Sequence, residues 1–190
     1  MSAVLYMSMS LDGYIADPDD FVGGADGHRL HDWFAPGGEY AQLSGPVEEL
    51  MEEMRNASGA VVAGRRTAEL MDHWGGDHNG LPIFVPSHRP PPPPARWGYP
   101  LVTYVDDGIE SAMAQAKSAA GEKNVHVVGG YTAQRALEAG VLDEVQIHLI
   151  PVVLGSGRRL FDVLPALIEL EIVRVIDTPD ATHLRYRVRQ

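Results

Sequence analysis

Two short apolar runs in this sequence stop abruptly at glycine, and a helical pattern follows each of them. Residues 60–63 lead directly into Gly64, and residues 125–128 lead into Gly129 and Gly130. Runs of four or five mostly apolar residues are too short for buried helices and are typical of strands that are covered on both faces. Strands of this kind that alternate with helices predict a largely parallel sheet in an α/β protein.

The same alternation continues along the chain to about residue 140. We predict further strands over Ala3–Ser10, residues 83–85, residues 101–105 and Glu144–Ile150. Apolar stripes predict helices after Pro46, over residues 65–71, over Ile109–Ala120 and from an N-cap at Thr132 to residue 140, with a short helix over residues 28–34. A C-terminal hairpin is predicted with arms at residues 172–176 and 184–188.

These elements predict a single three-layer α/β/α domain over residues 1–190, with a mixed, mostly parallel sheet and an antiparallel hairpin at its C-terminus. Five consecutive prolines, residues 90–94, cannot donate backbone hydrogen bonds. They predict a stiff polyproline II connector inside this domain, with an SH3-type ligand as the alternative.

Composition narrows the classes of function. The chain has 15 Lys and Arg against 26 Asp and Glu, a net charge of -11, which argues against a nucleic-acid or anionic-membrane surface. It has no cysteine, which excludes disulfides, thiolate zinc sites, iron–sulfur clusters and cysteine nucleophiles. No apolar run approaches the roughly 18 residues that span a bilayer, and the N-terminus lacks the features of a signal peptide. The expected location is the cytoplasm.

Cations and hydroxyls follow the glycines at the predicted strand ends. Arg65, Arg66 and Thr67 come directly after Gly64. A second polar cluster, Ser87, His88 and Arg89, follows the third strand of the predicted parallel set. Glycine lets a phosphate approach the backbone, and the N–H groups and dipole of a helix start favour the negative charge. The alternative is helix capping with solvated arginines. The sequence contains no Rossmann G-x-G-x-x-G after a strand and no Walker A motif.

Four short motifs together carry a resemblance to a known family. They are residues 9–16 (MSLDGYIA), residues 64–67 (GRRT), residues 128–130 (VGG) and residues 150–157 (IPVVLGSG), followed by Leu160 and Phe161. In this order and spacing the chain resembles the dihydrofolate-reductase-like superfamily. Within it, the chain is most similar to the C-terminal reductase domain of the bifunctional riboflavin-biosynthesis deaminase/reductase, over about residues 4–188.

The resemblance implies an NADPH-dependent oxidoreductase that transfers a hydride to a pyrimidine- or pterin-like heterocycle and that resembles 5-amino-6-(5-phosphoribosylamino)uracil reductase. It implies that Ser8 and the backbone of Ile15 and Ala16 lie beside the nicotinamide carboxamide. It implies that Arg65, Arg66 and Thr67 hold phosphates, with Arg66 or the segment Ser87, His88 and Arg89 near the adenosine 2′-phosphate. The residues implied to pack on the pyrophosphate are Val128, Gly129, Gly130, Tyr131 and Thr132.

Candidates for the chemistry itself are fewer. Asp12 is the carboxylate nearest to the nicotinamide loop and is the candidate catalytic residue, with closure of the Asp-Gly turn as its alternative role. Trp33 and Trp74 are candidate walls of a heterocycle pocket, with core packing as the alternative. Leu154 and Gly155 are the other candidate substrate contacts. Asp32 and Glu39 lie where dihydrofolate reductases carry a pterin-binding carboxylate, but neither stands in a recognisable motif.

Two alternatives to the reductase remain open. A ligand-binding or regulatory protein of the same fold would have kept the cofactor site without turnover, and a true dihydrofolate reductase would act on dihydrofolate. His28 and His31 near Asp26 and Asp32, and His73 and His78 around Asp77, suggest a metal, but neither group specifies a third ligand, so no metal site is predicted. We also expect a homodimer, because the family often pairs subunits and the hairpin offers a sheet edge.

Overall fold

The structure is a computed structural model that describes residues 1–20, 28–36, 43–90, 99–162 and 164–189. The strands are β1 (Ala3–Ser10), β2 (Tyr14–Ala16), β3 (Ser58–Ala63), β4 (Ile83–Pro86), β5 (Val102–Val105), β6 (Asn124–Val128), β7 (Glu144–Ile150), β8 (Arg158–Arg159), β9 (Leu170–Asp177) and β10 (Thr182–Val188). The helices are α1 (Gly45–Ala57), α2 (Arg65–Leu70), α3 (Ile109–Ala120) and α4 (Gly130–Glu138), with an irregular 3-10 segment at Asp72–Gly76.

Eight of these strands form one mixed sheet in the order β5-β4-β3-β6-β1-β7-β10-β9. The pairings of β1 with β6, β6 with β3, β3 with β4 and β4 with β5 are parallel. The C-terminal pair β9 and β10 is antiparallel. The predicted α/β class, with its mostly parallel sheet and terminal hairpin, is therefore confirmed.

By its internal contacts the chain divides into two compact units. The first unit consists of Met1–Leu5 and Ala57–Glu144, and the second unit consists of Tyr6–Asn56 and Val145–Gln190. The single domain predicted over residues 1–190 stays a prediction.

The first unit is built around its parallel strands. Val61 and Ala63 of β3 pack with Ala68 of α2 and with Ile83 and Val85 of β4. Helix α3 forms because its apolar residues recur at helical spacing, and it buries one face. Its buried residues are Ala112, Met113, Ala116 and Ala120. Gly121, with φ at +62°, ends the helix in a conformation that favours glycine.

The second unit has its own core, in which Leu30, Trp33, Leu50, Ile150 and Ala181 are buried together. Its two small strands β2 and β8 pair antiparallel, outside the main sheet. They are too short to show an alternating pattern, so the sequence did not predict them.

Two local predictions are wrong. Residues 28–34 form successive turns instead of a helix: the N–H groups of His31 and Phe34 each bond a carbonyl three residues back, at 2.7 and 3.1 Å. So short a segment, with Pro36 two positions after its end, cannot offset the cost of helix nucleation. Thr132 is not an N-cap, because α4 already begins at Gly130 and Gly129 is the cap residue. Thr132 lies inside the helix with its side chain buried.

Two further features bear on the sequence-based predictions. Apart from Pro90, the predicted polyproline connector lies outside the described residues, as do Asp26 and Glu39. Among the helices that the structure describes, none has both the length and the apolar character needed to cross a bilayer.

Candidate functional site

The two predicted glycine turns meet in the first unit. Strands β3 and β6 are parallel neighbours, and Ala63 stands opposite Val128 at their carboxyl ends. The backbone N–H of Gly64 donates to the carbonyl of Val128 at 3.1 Å. Helices α2 and α4 therefore start side by side. Their first intrahelical hydrogen bonds run from the N–H of Ala68 to Gly64 and from the N–H of Ala133 to Gly129. The N–H groups of the three residues before Ala68 and before Ala133 are not used in intrahelical hydrogen bonds.

Each glycine faces a threonine hydroxyl of the other turn. A Cβ atom on Gly129 would lie 2.9 Å from Oγ1 of Thr67, and one on Gly64 would lie 2.7 Å from Oγ1 of Thr132. Gly129 also has φ at +102°, a region that L side chains rarely adopt. The sequence thus needs glycine here both for backbone conformation and for the close approach of two hydroxyls, which are donors suited to an anion.

Arg65 is held by protein groups. Its Nε donates to Oε1 of Glu69 at 2.7 Å, and its Nη1 donates at 2.9 Å to Oγ of Ser87 and to the carbonyls of Arg89 and Pro90. The guanidinium also lies 5.5 Å from the ring centroid of Tyr104. The side chain is only 15% exposed, so Arg65 ties α2 to the segment after β4. A phosphate contact by Arg65 stays a prediction.

These hydrogen bonds of Arg65 place the second predicted polar cluster, Ser87, His88 and Arg89, beside α2. The N–H of Ser87 donates to the carbonyl of Val105 at 2.8 Å, and the N–H of Arg89 donates to Oγ of Ser87 at 3.2 Å. His88 is exposed, with its Nδ1 3.1 Å from the carbonyl of Asp106. Arg66 and Arg89 are also exposed, so both lie at the surface of the same unit as the glycine turns.

Tyr131 and Gly130 differ in exposure although they are adjacent at the start of α4. Gly130 is buried, whereas Tyr131 is 73% exposed, with the guanidinium of Arg135 5.2 Å from its ring centroid. An exposed aromatic ring beside a helix start can offer a flat surface to a ligand.

In the second unit, the carboxylate of Asp12 joins two loops. It accepts hydrogen bonds from Oγ of Ser10 at 2.6 Å, from the N–H of Leu154 at 3.1 Å and from the N–H of Gly155 at 2.7 Å. The hydrogen bond from Ser10, followed by those from Gly155 and Leu154, lowers the pKa of Asp12 to about 2 against the opposing effect of desolvation. The structure thus brings together three predicted site residues, and a carboxylate that is ionised at neutral pH is suited to accept hydrogen bonds and not to donate a proton.

Asp12→Asn should weaken this junction most at neutral pH, because the amide would place an N–H₂ group against backbone donors. The pKa of Asp12 is lower in the folded protein (about 2) than its ordinary value of 3.8. Its stabilising effect is therefore present above about pH 4 and is lost as the pH falls toward 2. In urea unfolding followed at several pH values, the stability difference between wild type and variant should shrink over this range. Asp180→Asn, at an exposed turn, is the control, and a difference that does not depend on pH would contradict the assignment.

Ser8, Ile15 and Ala16 are also in the second unit. Nε1 of Trp33 donates to Oγ of Ser8 at 2.9 Å, and both side chains are buried. Ile15 and Ala16 belong to β2, and Ala16 stands opposite Arg158 of β8. A Cβ atom on Gly157 would lie 2.0 Å from the carbonyl oxygen of Ala16, so the two backbones touch there.

The two candidate pocket tryptophans belong to different units. Trp33 is 6% exposed within the second unit's core, and its ring stacks on that of His148 with centroids 4.3 Å apart. Trp74 is partly buried against the first unit's core, in a segment where Asp72, His73 and Trp74 all have positive φ. Substrate contact by either tryptophan stays a prediction.

The sequence predicts His148 as a hydrogen-bonded structural residue of a strand, but it did not identify the buried partner His183, whose Nδ1 lies 2.7 Å from that of His148. His183 shares the alternation of Arg185 and Arg187, which predicts an outward face. In the structure His183 is instead 3% exposed, against His148 and the ring of Trp33, so its burial could not be found from the alternation. Within the described parts of the chain, no group of three or more His, Asp or Glu side chains could hold a metal ion.

Comparison with known proteins now identifies the family. The model of the family described as "RibD C-terminal domain" matches residues 2–184. The "Uncharacterized protein YwjB" of Bacillus subtilis (strain 168) is 26% identical over 188 residues, which covers 96% of this chain and 95% of that protein.

Two solved structures share the fold. The "Putative riboflavin biosynthesis protein" of Shewanella sp. PV-4 is 25% identical, with a TM-score of 0.77 and full coverage of both chains. Dihydrofolate reductase from Enterococcus faecalis, solved with NADP(H), is 14% identical, with a TM-score of 0.62 over 100% of this chain and 97% of that chain. These structures confirm the predicted dihydrofolate-reductase-like fold, and the match over residues 2–184 shows that this chain belongs to the RibD C-terminal domain family.

Proposed function

We propose that this chain is an NADPH-dependent reductase that transfers a hydride to a substrate with a pyrimidine- or pterin-like heterocycle, and that it resembles 5-amino-6-(5-phosphoribosylamino)uracil reductase. The observation that carries the proposal is the junction of the Gly64 and Gly129 turns. Two helix starts and two threonine hydroxyls converge there in a protein whose net charge is -11. Membership of the RibD C-terminal domain family supports the reaction class.

The residues at this junction fit a cofactor that carries phosphates. Gly129 and Gly130 would leave room for the pyrophosphate, and the N–H groups of the helix starts with the hydroxyls of Thr67 and Thr132 would donate hydrogen bonds to it. Val128 and Tyr131 flank these contacts. The exposed cation Arg66, with Ser87, His88 and Arg89 as a second group, would bind the 2′-phosphate that distinguishes NADPH from NADH.

Ser8, Ile15 and Ala16 are the proposed contacts of the nicotinamide. NADPH would supply the hydride, and the task of the protein is to hold the donor carbon and the acceptor together away from water. A proton must also reach the reduced substrate. Because its pKa is about 2, Asp12 is a poor donor, and in this proposal it holds Leu154 and Gly155 in place.

The test is a titration of the protein with NADPH, followed by NADPH oxidation with 5-amino-6-(5-phosphoribosylamino)uracil, dihydrofolate and oxidised flavin as separate acceptors. We expect binding at micromolar cofactor and turnover with the pyrimidine. Absence of binding at millimolar NADPH would rule the proposal out, and turnover of dihydrofolate alone would point to a dihydrofolate reductase.

A second candidate function is favoured by the state of Asp12. Three donors satisfy its carboxylate and keep it ionised, so the candidate catalytic acid is engaged in holding loops. A binding or regulatory protein that takes NADPH without using it fits this arrangement. Stable NADPH binding with no oxidation by any of the three acceptors would favour this alternative over the reductase.

Arg66→Ala should lower NADPH affinity by about 1.5–3 kcal/mol, the scale of a charge-assisted hydrogen bond. NADH lacks the 2′-phosphate, so its affinity should barely change. Lys123→Ala, which removes an exposed cation elsewhere in the first unit, is the matched control for net charge. Equal losses for both cofactors in calorimetric titrations would contradict the role given to Arg66.

The homodimer is also part of the proposal. Strand β9 ends the strand order, and its side chains Leu170, Ile172 and Val175 are 39%, 67% and 55% exposed. An apolar edge strand of this kind is suited to pair with a second copy. We expect light scattering at micromolar concentration to give twice the 20.7 kDa chain mass, and Ile172→Glu to give the monomer. Leu101→Glu is the control, and a wild-type monomer would contradict the prediction.

A further inference from the structure

A buried series of contacts in the second unit leads from the C-terminal hairpin to Ser8. His148 of β7 and His183 of β10 are 4% and 3% exposed, and their Nδ1 atoms lie 2.7 Å apart. Trp33 stacks on His148, with ring planes 30° apart, and meets His183 edge-on at 4.9 Å between centroids. The indole of Trp33 then donates to Oγ of Ser8.

The hydrogen-bond partners assign the protons of the histidine pair. Oγ1 of Thr178 donates its hydrogen to the carbonyl of Ala181 at 2.7 Å, so Nε2 of His183, 3.2 Å away, donates to that oxygen. Neutral His183 therefore has its lone pair on Nδ1 and accepts from Nδ1–H of His148. Burial lowers the pKa of His183, against the opposing effect of Asp177, and this keeps the accepting form in place.

The same reasoning orients the hydroxyl of Ser8. An indole N–H can only donate, so Oγ of Ser8 accepts from Trp33. The hydroxyl hydrogen of Ser8 must then point toward a different acceptor. The indole of Trp33 thus occupies one side of Oγ of Ser8 and excludes that direction for the hydroxyl hydrogen, and the rings of His148 and His183 pack against Trp33.

We propose that Trp33, held by His148 and His183, is a positioning residue that directs the hydroxyl of Ser8 to the carboxamide oxygen of the nicotinamide. This rests on the proposed function, which places the nicotinamide beside Ser8. A hydrogen bond to the carboxamide fixes the orientation of the nicotinamide ring, on which the alignment of the hydride depends. Trp33 acts through Ser8 and need not touch the cofactor or the substrate.

The test compares two ligands, NADPH and adenosine 2′,5′-bisphosphate, which carries the 2′-phosphate but no nicotinamide. Trp33→Phe keeps an aromatic ring and removes the donor, and Ser8→Ala removes the acceptor. Each variant should bind NADPH about 3–10-fold more weakly, the scale of one hydrogen bond, and should bind the bisphosphate as wild type does. Trp33→Phe and Ser8→Ala disrupt the same hydrogen bond. The double variant should therefore bind NADPH only as weakly as the single variant with the lower NADPH affinity. Equal losses for the two ligands, or additive losses in the double variant, would overturn the proposal.

The histidine pair gives a second arm. His148→Leu should reproduce the selective loss of NADPH affinity, and His148→Asn, whose side-chain amide can donate to His183, should recover part of it. Leu50→Ala weakens the same core cluster without a hydrogen bond to Trp33, and it should leave the ratio of the two affinities unchanged. A changed ratio in Leu50→Ala would overturn the proposal, because the effect would then follow core stability. If Trp33→Phe does not fold, Ser8→Ala and the His148 pair decide the result.

The outcomes also separate this inference from the proposed function. If the wild-type protein binds NADPH and every variant keeps the wild-type ratio of NADPH to bisphosphate affinity, only the positioning role is ruled out. Wild-type protein that does not bind NADPH removes the proposed function and the positioning role together.

Discussion

Gly157→Ala is expected to lower the free energy of unfolding by roughly 3–5 kcal/mol, the sum of a backbone strain and an overpacking cost. The strain arises because Gly157 has φ at +138°. The overpacking arises because the new methyl carbon would lie 2.0 Å from the carbonyl oxygen of Ala16 and 2.9 Å from Cα of Asp17. These are backbone atoms, which cannot move aside as the end of a flexible side chain can. Urea unfolding at neutral pH measures the loss.

Gly155→Ala is the matched control for this prediction. Gly155 also has positive φ, at +77°, but nothing lies within 4 Å of the position its Cβ would take. Its loss should be about 1–2 kcal/mol, the cost of a left-handed conformation alone. Equal losses in the two variants would show that the contact with Ala16 contributes nothing.

Gly129→Ala is expected to cost about 2–4 kcal/mol of stability and also to weaken NADPH binding. Its Cβ would press on Oγ1 of Thr67 at 2.9 Å and on the N–H of Gly64 at 3.4 Å. Relief of that pressure moves the two turns apart, so the helix-start donors no longer converge on one anion. The affinity should fall by at least tenfold for NADPH and for adenosine 2′,5′-bisphosphate alike, because both carry phosphates. Thermal unfolding and calorimetric titration measure the two effects.

Gly108→Ala separates strain from contact in the same unit. Gly108 precedes α3 with φ at +101°, close to the +102° of Gly129, but nothing lies within 4 Å of its Cβ position. It should lose stability through strain alone and should bind both ligands as wild type does. If Gly129→Ala kept wild-type affinity, the junction of the two turns would not be the phosphate site.

The sequence allowed the main elements to be predicted where one period was sustained over several residues. β1 and β7 have the predicted bounds, and α3 matches its apolar stripe, because buried strands and amphipathic helices impose their own spacing. The pairing of the Gly64 and Gly129 turns followed from the rule that parallel strands present their carboxyl ends at one edge.

What the sequence could not give depends on contacts between distant residues. Arg65 is a residue type that often binds phosphate. Its guanidinium instead donates hydrogen bonds to a hydroxyl and two carbonyls of residues more than twenty positions away. The burial of His183 depends on its contacts with His148 and Trp33, which are far from it in the sequence, and the start of α4 depends on the positive φ of Gly129. The spacing of apolar and polar residues along a short segment does not predict such contacts, because many different folds share the same local spacing.

The position of β1 has a consequence for how the chain matures during translation. The N-terminal strand pairs in parallel with β6, and Ser2 donates to the side chain of Asn124, 122 residues further along. At a synthesis rate of roughly 5–20 residues per second, the first strand waits about 6–24 seconds before its partner has been made. During that interval β1 has no β6 strand to pair with, so the parallel part of the sheet can close around β1 only after residues 124–128 have been synthesised.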